Sequence, residues 1–266
     1  MKVSIIGFGN MGRTFANGFV NSRFIDVNDI QIYSRSQIQI ENCFGVPEKN
    51  LHTEINEHIS NSDIIIISVK PQDFEILAQN LKPYINDNHV VLSVMAGMGI
   101  SKISKLLGTD KIVRSMPNLP SQIGLGMTAI SASETIDRKD LFIVQNLINT
   151  TGKSVYVEDE NLINAATAVS GSGPAYVFYF MQSMIDAAQE LGFSKSEAEL
   201  LVKQTFLGTI NLYNSNAISS EEWIKKVSSK GGTTEEAIQS FGLSFLNKEI
   251  IKGIHAAQKR AEELGS

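Results

Sequence analysis

Three glycines near the start of the chain have a spacing that suggests chemistry. The segment GFGNMG places Gly7, Gly9 and Gly12 in G-x-G-x-x-G order, between the apolar run VSII and a helical pattern. In that position the glycines predict a turn that holds a dinucleotide pyrophosphate at the start of a helix. Gly7 allows the tight turn, Gly9 lets the backbone approach the phosphates, and Gly12 lets the helix pack closely on the sheet. The alternative is a glycine-rich turn that binds nothing.

The residues after the second apolar run indicate which dinucleotide fits. An Asp or Glu at this place holds the ribose 2′-hydroxyl of NAD. The segment IQIYSRS has Ser34 and Arg35 there instead. A hydroxyl and a guanidinium suit a 2′-phosphate, so the sequence predicts NADP rather than NAD. The alternative is that Arg35 is a solvated surface cation.

A second candidate site is the stretch SSKGGTTEEA, which covers residues 228–237. Two glycines and two threonines stand directly before a helical pattern, where backbone N–H groups can hold a small anion. A plain turn between helices is the alternative. The four histidines, His52, His58, His89 and His255, lie in no catalytic motif, and no ligand spacing predicts a metal.

The elements that must position these residues follow from the hydrophobic pattern. In the first half, short apolar runs alternate with helical spacing, which predicts a Rossmann-type doubly wound α/β domain with a parallel sheet. Small residues and prolines end three successive runs, in SVKP, SVMAGM and RSMPNLP, and indicate a crevice kept open for a flat ring.

The pattern changes near residue 160, and the second half is predicted to be an all-α dimerisation domain. The segment AYVFYFMQSMIDAAQELG is apolar on more than one helical face, which is typical of a helix that is buried all round or meets another subunit. Ser194 and Glu197 form a capping box at the start of the next helix. We therefore expect domains at 1–159 and 160–266.

Composition excludes several classes of protein. The net charge is −5 and no basic run occurs, so a nucleic-acid partner is not expected. The apolar stretches are far shorter than the roughly 20 residues of a membrane helix, and no targeting segment is recognised. The single cysteine, Cys43, excludes an internal disulfide. The expected location is the cytoplasm.

Five segments in order resemble one family, the pyrroline-5-carboxylate reductases. They are GFGNMG, SVKP, MPNLP, AVSGSGPAYVF and VSSKGGTTEEAI, and they extend from Gly7 to about Phe241. The resemblance implies reduction of 1-pyrroline-5-carboxylate to L-proline, the last step of proline biosynthesis, with NADPH or alternatively NADH. It also implies at least a homodimer, with a higher oligomer built from dimers as an option. In this family the active site lies between the Rossmann domain of one subunit and helices of its partner.

The resemblance also implies roles for individual residues. Thr234 matches the catalytic threonine beside the imine nitrogen, and the loop that holds the substrate carboxylate corresponds to Ser229, Gly231, Gly232, Thr233 and Thr234. Asn56 matches a ribose-contacting asparagine, although the spacing to SDIIIISVKP is one residue short. The positions that match cofactor contacts are Gly7, Phe8, Gly9, Asn10, Met11, Gly12, Ser34, Arg35, Asn56, Val69, Lys70, Pro71 and Ala96.

The chain departs from the commonest family pattern at two positions. Lys230 stands where many members have Pro, and it adds a cation near the expected carboxylate site. Lys226 stands where many members have Asn, so one polar substrate contact that the resemblance would imply is not carried over to this chain.

Three other functions are considered beside the reductase. A β-hydroxyacid dehydrogenase or imine reductase relative shares the fold, but the dehydrogenase needs a lysine that NAATAVSGSGPAY lacks. A reductase-like regulatory protein would bind NADPH without turnover, and a structural oligomer would carry an incidental nucleotide site.

Overall fold

An eight-stranded sheet forms the first part of the chain. The structure, a computed structural model, describes residues 1–264. The strand order is β3-β2-β1-β4-β5-β6-β7-β8. The strands are β1 (Val3–Ile6), β2 (Ile30–Tyr33), β3 (Leu51–His52), β4 (Ile64–Ile67), β5 (Val90–Ser93), β6 (Ile112–Met116), β7 (Gly126–Ala132) and β8 (Gly152–Tyr156).

The apolar runs become central strands because both faces of the sheet are covered. All four residues of β1, β4 and β5 are buried, as expected for parallel strands between two helical layers. One core contains Phe15, Phe19 and Val144, and a second contains Phe74 and Ile103. The predicted α/β Rossmann-type class is confirmed.

The helices in the described residues fall into two groups along the chain. The first group accompanies the sheet and consists of α1 (Asn10–Ser22), α2 (Phe74–Leu81), α3 (Ile100–Leu107), α4 (Arg138–Asn149) and α5 (Leu162–Ala166). A single π-helical turn, Thr167–Gly171, follows α5. The second group consists of α6 (Gly173–Glu190), α7 (Lys195–Asn214), α8 (Ser220–Val227), α9 (Thr233–Leu243) and α10 (Leu246–Glu263).

The sheet departs from the predicted parallel order at one place. Strand β7 runs antiparallel to β6, and β8 then runs parallel to β7. The connection of residues 117–125 is shorter than the crossover of about a dozen residues that a parallel pair requires, so the chain reverses direction. Strands β3 and β8 were not predicted from the sequence.

The chain forms two compact units. The first contains Met1–Gly173 and the chain from Ala257, and the second contains Pro174–Ala256. In the first unit, Arg114 of β6 is 4% exposed and donates to Glu160 at 2.9 Å and to Asn164 at 2.8 Å, which ties α5 to the sheet. The domain division at 159/160 stays a prediction, and its last residues, 265 and 266, lie outside the described part.

The second unit is helical throughout. No strand occurs after β8 within residues 157–264, as the sequence predicts. The capping box of Ser194 and Glu197 is confirmed, and Ser219 forms another with Glu222 at the start of α8. No described helix combines the length and the apolar character that a bilayer span requires.

Candidate functional site

The loop after β1 has the backbone that its glycines predict. Gly7 has φ +94°, a left-handed conformation, and a Cβ there would lie 2.7 Å from the carbonyl oxygen of Ser68. The Gly7 N–H donates to the carbonyl of Tyr33 at 2.9 Å, and the Ser68 hydroxyl donates to the Gly7 carbonyl at 2.6 Å. The loop is thus fixed by β2 on one side and by the end of β4 on the other. Gly12 is equally restricted, because a Cβ would overlap the carbonyl oxygen of Gly7.

The start of α1 is open where an anion would bind. Gly9 is the N-cap residue, and among the described residues no side chain caps the helix. A Cβ added at Gly9 would have no heavy atom of the described chain within 4 Å, so the space above the first turn is free. Uncapped backbone N–H groups beside free space fit a pyrophosphate. The donors and the room therefore fit a dinucleotide cofactor.

The sheet brings the other predicted cofactor residues to the same edge. Ser34 and Arg35 follow β2, Val69, Lys70 and Pro71 follow β4, and Ala96 follows β5. These strands are parallel to β1, so their carboxyl ends lie at one edge, where ligands bind in open α/β sheets. Phe8 is buried and contacts the guanidinium of Arg13 with its ring, whereas Asn10 is exposed and Met11 is half-buried.

Arg35 makes an ion pair that the sequence does not indicate. Its Nη2 lies 2.9 Å from Oδ2 of Asp73, and the two side chains are 85% and 31% exposed. Asp73 ends the 3₁₀ turn Pro71–Asp73 that precedes α2. The partners are 38 residues apart, so no local pattern could have revealed the contact.

Asn56 lies near Tyr33, the last residue of β2, in a network of polar side chains. Its Oδ1 accepts from the Tyr33 hydroxyl at 3.2 Å and from the His58 N–H at 3.1 Å. Its Nδ2 therefore donates to Nδ1 of His52 at 3.1 Å, which leaves Nε2 of His52 to donate to Gln31 at 2.7 Å. Burial, followed by the charge of His58, lowers the pKa of His52 and favours this neutral form. The network fixes the orientation of the Asn56 amide.

The loop between α8 and α9 has a tight turn around two glycines. Gly231 has φ +71°, and the Gly232 N–H donates to the carbonyl of Ser229 at 2.9 Å. The Gly231 N–H donates to the Glu235 carboxylate at 2.7 Å, so both glycine N–H groups are used within the loop. A Cβ at Gly232 would lie 2.5 Å from the Ser229 hydroxyl, which explains the second glycine.

The N–H groups left for a ligand are those of the first turn of α9. Gly232 is its N-cap residue, and in the described chain no side chain accepts from the N–H of Thr233 or Thr234. Thr234 is half-buried at this turn and Thr233 is exposed. Glu235 stands three residues after the N-cap, and this spacing is the sequence signal that could have revealed its contact with the loop.

The two lysines that depart from the family pattern have different surroundings. The ammonium of Lys226 lies 5.3 Å from the centroid of the Trp223 ring, a cation–π contact within α8. Lys230 is exposed in the loop itself. Lys230 is therefore the cation nearer in sequence to the open first turn of α9.

Two family models match the chain. One, described as "Pyrroline-5-carboxylate reductase dimerisation", matches residues 160–264. The other, described as "NADP oxidoreductase coenzyme F420-dependent", matches residues 2–97. A pyrroline-5-carboxylate reductase of Staphylococcus saprophyticus is 32% identical over 268 residues, with 100% of this chain and 98% of that protein covered. The chain belongs to the pyrroline-5-carboxylate reductase family.

Solved structures of the family agree with this assignment. A pyrroline-5-carboxylate reductase of Coxiella burnetii matches with a TM-score of 0.90 and 33% identity, covering 100% of this chain and 98% of that one. A pyrroline carboxylate reductase of Plasmodium falciparum, solved with NADP bound, matches with a TM-score of 0.88 and 27% identity, over 100% and 98% of the two chains. The predicted family, the oxidoreductase class and the Rossmann domain with a helical dimerisation domain are confirmed.

Proposed function

We propose that the chain reduces 1-pyrroline-5-carboxylate to L-proline with NADPH, and with NADH as the weaker alternative. The observation that carries the proposal is the open first turn of α9 behind the glycine loop, in a chain whose relatives over its full length are such reductases. The donors at this turn suit a carboxylate, and the hydroxyl of Thr234 suits a ring nitrogen.

The cofactor is proposed to bind along the carboxyl edge of the sheet. The N–H groups at the start of α1 would hold the pyrophosphate, and Ser34 with Arg35 would hold a 2′-phosphate. Asn56, oriented by its network, would contact the ribose. Val69, Lys70, Pro71 and Ala96 would line the remaining length, and the bound nicotinamide supplies a hydride to the substrate.

The substrate loop is proposed to bind and orient rather than to titrate. The N–H groups of Thr233 and Thr234 would hold the substrate carboxylate at the positive end of the α9 dipole. Ser229 and Gly232 keep the turn closed, and Gly231 supplies the left-handed backbone. A protonated imine accepts a hydride readily, so holding the ring in place contributes much of the rate. The Thr234 hydroxyl is a poor acid, and its role is to hydrogen-bond the ring nitrogen as this nitrogen becomes an amine.

Steady-state reduction of pyrroline-5-carboxylate, followed by the loss of NADPH absorbance, tests the proposal. Thr234→Ala should lower kcat substantially and leave the NADPH Kd unchanged. Thr234→Ser keeps the hydroxyl and should retain most of the activity. Binding of NADPH without turnover by the unaltered protein would contradict the reductase and favour the regulatory alternative. Unchanged kcat and KM in Thr234→Ala would refute the role of this residue.

The helical unit is proposed to form a homodimer. None of the described side chains of α6 is buried, although many are apolar: Phe178 is 59% exposed and Tyr179 is 75% exposed. Large exposed apolar sets continue on α7 and α9, with Leu200, Leu207 and Phe241 among them. Apolar surface on this scale marks a protein interface, and a second copy of the same unit is the partner that the dimerisation model indicates.

Sedimentation measurements test the assembly. Tyr179→Lys should shift the protein toward monomers, whereas Gln189→Lys, which adds the same charge at an exposed polar position of α6, should not. A mass above the dimer in the unaltered protein would indicate a higher oligomer built from dimers. An unchanged mass in Tyr179→Lys would remove this helix face from the interface. We also propose a cytoplasmic location, since the free thiol of Cys43 fits a reducing compartment.

A further inference from the structure

The ion pair of Arg35 and Asp73 spans the carboxyl end of β1. In the sheet order, β2 and β4 flank β1 on its two sides. Arg35 follows β2, Asp73 lies in the turn after β4, and their Nη2 and Oδ2 atoms are 2.9 Å apart. The pair therefore connects the segments that follow β2 and β4, on the two sides of the strand that leads into the Gly7–Gly9 loop.

We propose that Asp73 is a specificity-determining residue that reduces the preference for NADPH over NADH by holding the Arg35 guanidinium. This rests on the proposed function, in which Arg35 binds the 2′-phosphate. The guanidinium already has an anionic partner in the structure, so a 2′-phosphate must displace the Asp73 carboxylate or bind next to it. In either case the negative charge of Asp73 remains close to the 2′-phosphate, and the repulsion between the two weakens NADPH binding.

NADH does not encounter this competition. Its adenosine ribose carries a neutral 2′-hydroxyl, so the ion pair can stay intact when NADH binds. Asp73 therefore weakens the binding of NADPH but not of NADH, and so it lowers the ratio of the NADPH affinity to the NADH affinity. Both side chains have solvent access, and the pair is an exposed one whose strength is small and screened by salt. The expected change is accordingly several-fold rather than many orders of magnitude.

Equilibrium binding of each cofactor, measured by fluorescence titration without substrate, tests the proposal. Asp73→Asn keeps the shape of the side chain and removes its charge. It should tighten NADPH binding by about three- to fivefold and change NADH binding by less than about twofold, and the gain for NADPH should shrink as salt is added. Glu75→Gln is the matched control, because it removes one negative charge from an exposed position of α2 close by in sequence. It should change neither affinity by more than about twofold.

Several other results would overturn the proposal. Selective weakening of NADPH in Asp73→Asn would show that the carboxylate positions Arg35 for the phosphate instead of competing with it. Equal changes for both cofactors, or none, would show that Asp73 does not discriminate. Arg35→Met checks the premise, since it should weaken NADPH and spare NADH; if it changes neither, the proposal fails. These affinities need no turnover, so they remain decisive even where reduction of pyrroline-5-carboxylate is not observed.

Discussion

Replacing Gly231 by alanine isolates the backbone geometry of the substrate loop from its chemistry. Gly231 has φ +71°, and a Cβ added there would meet no heavy atom of the described chain within 4 Å. Steric overlap therefore contributes nothing, and the N–H that Glu235 accepts is kept. The only change is the conformational preference of the residue, because L-residues, unlike glycine, have a Cβ that disfavours the left-handed region.

The size of the effect follows from that preference. Holding alanine in the left-handed conformation costs about 1–2 kcal/mol. The residue is exposed, so the loop can relax when no substrate is present and must be restored when the substrate binds. If the whole cost appears at that step, the KM for pyrroline-5-carboxylate rises by roughly five- to thirtyfold, because about 1.4 kcal/mol is a factor of ten. If the loop does not relax, the same cost appears in the free energy of unfolding.

Both quantities are measured for two variants. Gly231→Ala should raise the substrate KM, or lower the free energy of unfolding, while the NADPH Kd stays unchanged. Gly231→Asn is the matched control, because asparagine is larger than alanine but tolerates the left-handed region. It should keep most of the substrate affinity. Alanine as good as glycine in both measurements, or asparagine as damaging as alanine, would refute the reasoning from φ.

Three other predictions concern the unit that contains the sheet. Glu160→Ala leaves a buried guanidinium without its anionic partner and should lower the free energy of unfolding by about 3 kcal/mol in urea titrations, with a smaller loss in Glu160→Gln. Burial lowers the pKa of His52 and of His89 below the usual 6.5, so the folded protein binds fewer protons than the unfolded one. Stability should therefore be full above about pH 6.5 and fall as the pH decreases from there, and replacing both histidines by Gln should flatten this part of the urea-midpoint profile. Gly9→Ala places its Cβ in free space and should weaken NADPH binding without lowering the free energy of unfolding. Gly12→Ala places its Cβ against the Gly7 carbonyl and should lower both the NADPH affinity and the free energy of unfolding. Equal effects of the two substitutions on both quantities would contradict the geometry.

The parts of the fold that sequence predicts are those with a dense local signal. Strand β4 is four isoleucines in a row, and the capping box at Ser194 is complete within four residues, so both are evident from the residue types alone. Strand β3 has two residues, and β8 is largely exposed, so neither presents an apolar run. The reversal at β7 depends on the length of a connection rather than on the strand itself.

The site divides in the same way. The glycine positions, the hydroxyls of the substrate loop and the placement of Arg35 follow from short segments whose residue types have a mechanical reason. The contacts that these residues make with distant side chains do not follow from any short segment. Asp73 reaches Arg35 across β1, and the Glu235 carboxylate uses the N–H of Gly231, a donor expected for the substrate. The first contact depends on which strands are neighbours in the sheet, and the second depends on how the loop folds back on the first turn of α9. Neither arrangement is visible in the order of residues along the chain.

The starts of the helices give the cofactor loop and the substrate loop a feature in common. Within residues 1–264, three α-helices are capped by their own N-cap side chains, namely α4 by Asp137, α7 by Ser194 and α8 by Ser219. The N-terminus of α3 is satisfied from farther away, because Glu160 accepts from the Ile100 N–H at 2.8 Å. Helices α1 and α9 begin at glycines, Gly9 and Gly232, as α3 does at Gly99, but no side chain of the described residues accepts from their first N–H groups. Leaving helix N–H groups unsatisfied lowers stability, so the open first turns of α1 and α9 favour acceptors that a ligand supplies. Ligand phosphate at α1 and ligand carboxylate at α9 would be these acceptors, each at a helix that lacks one.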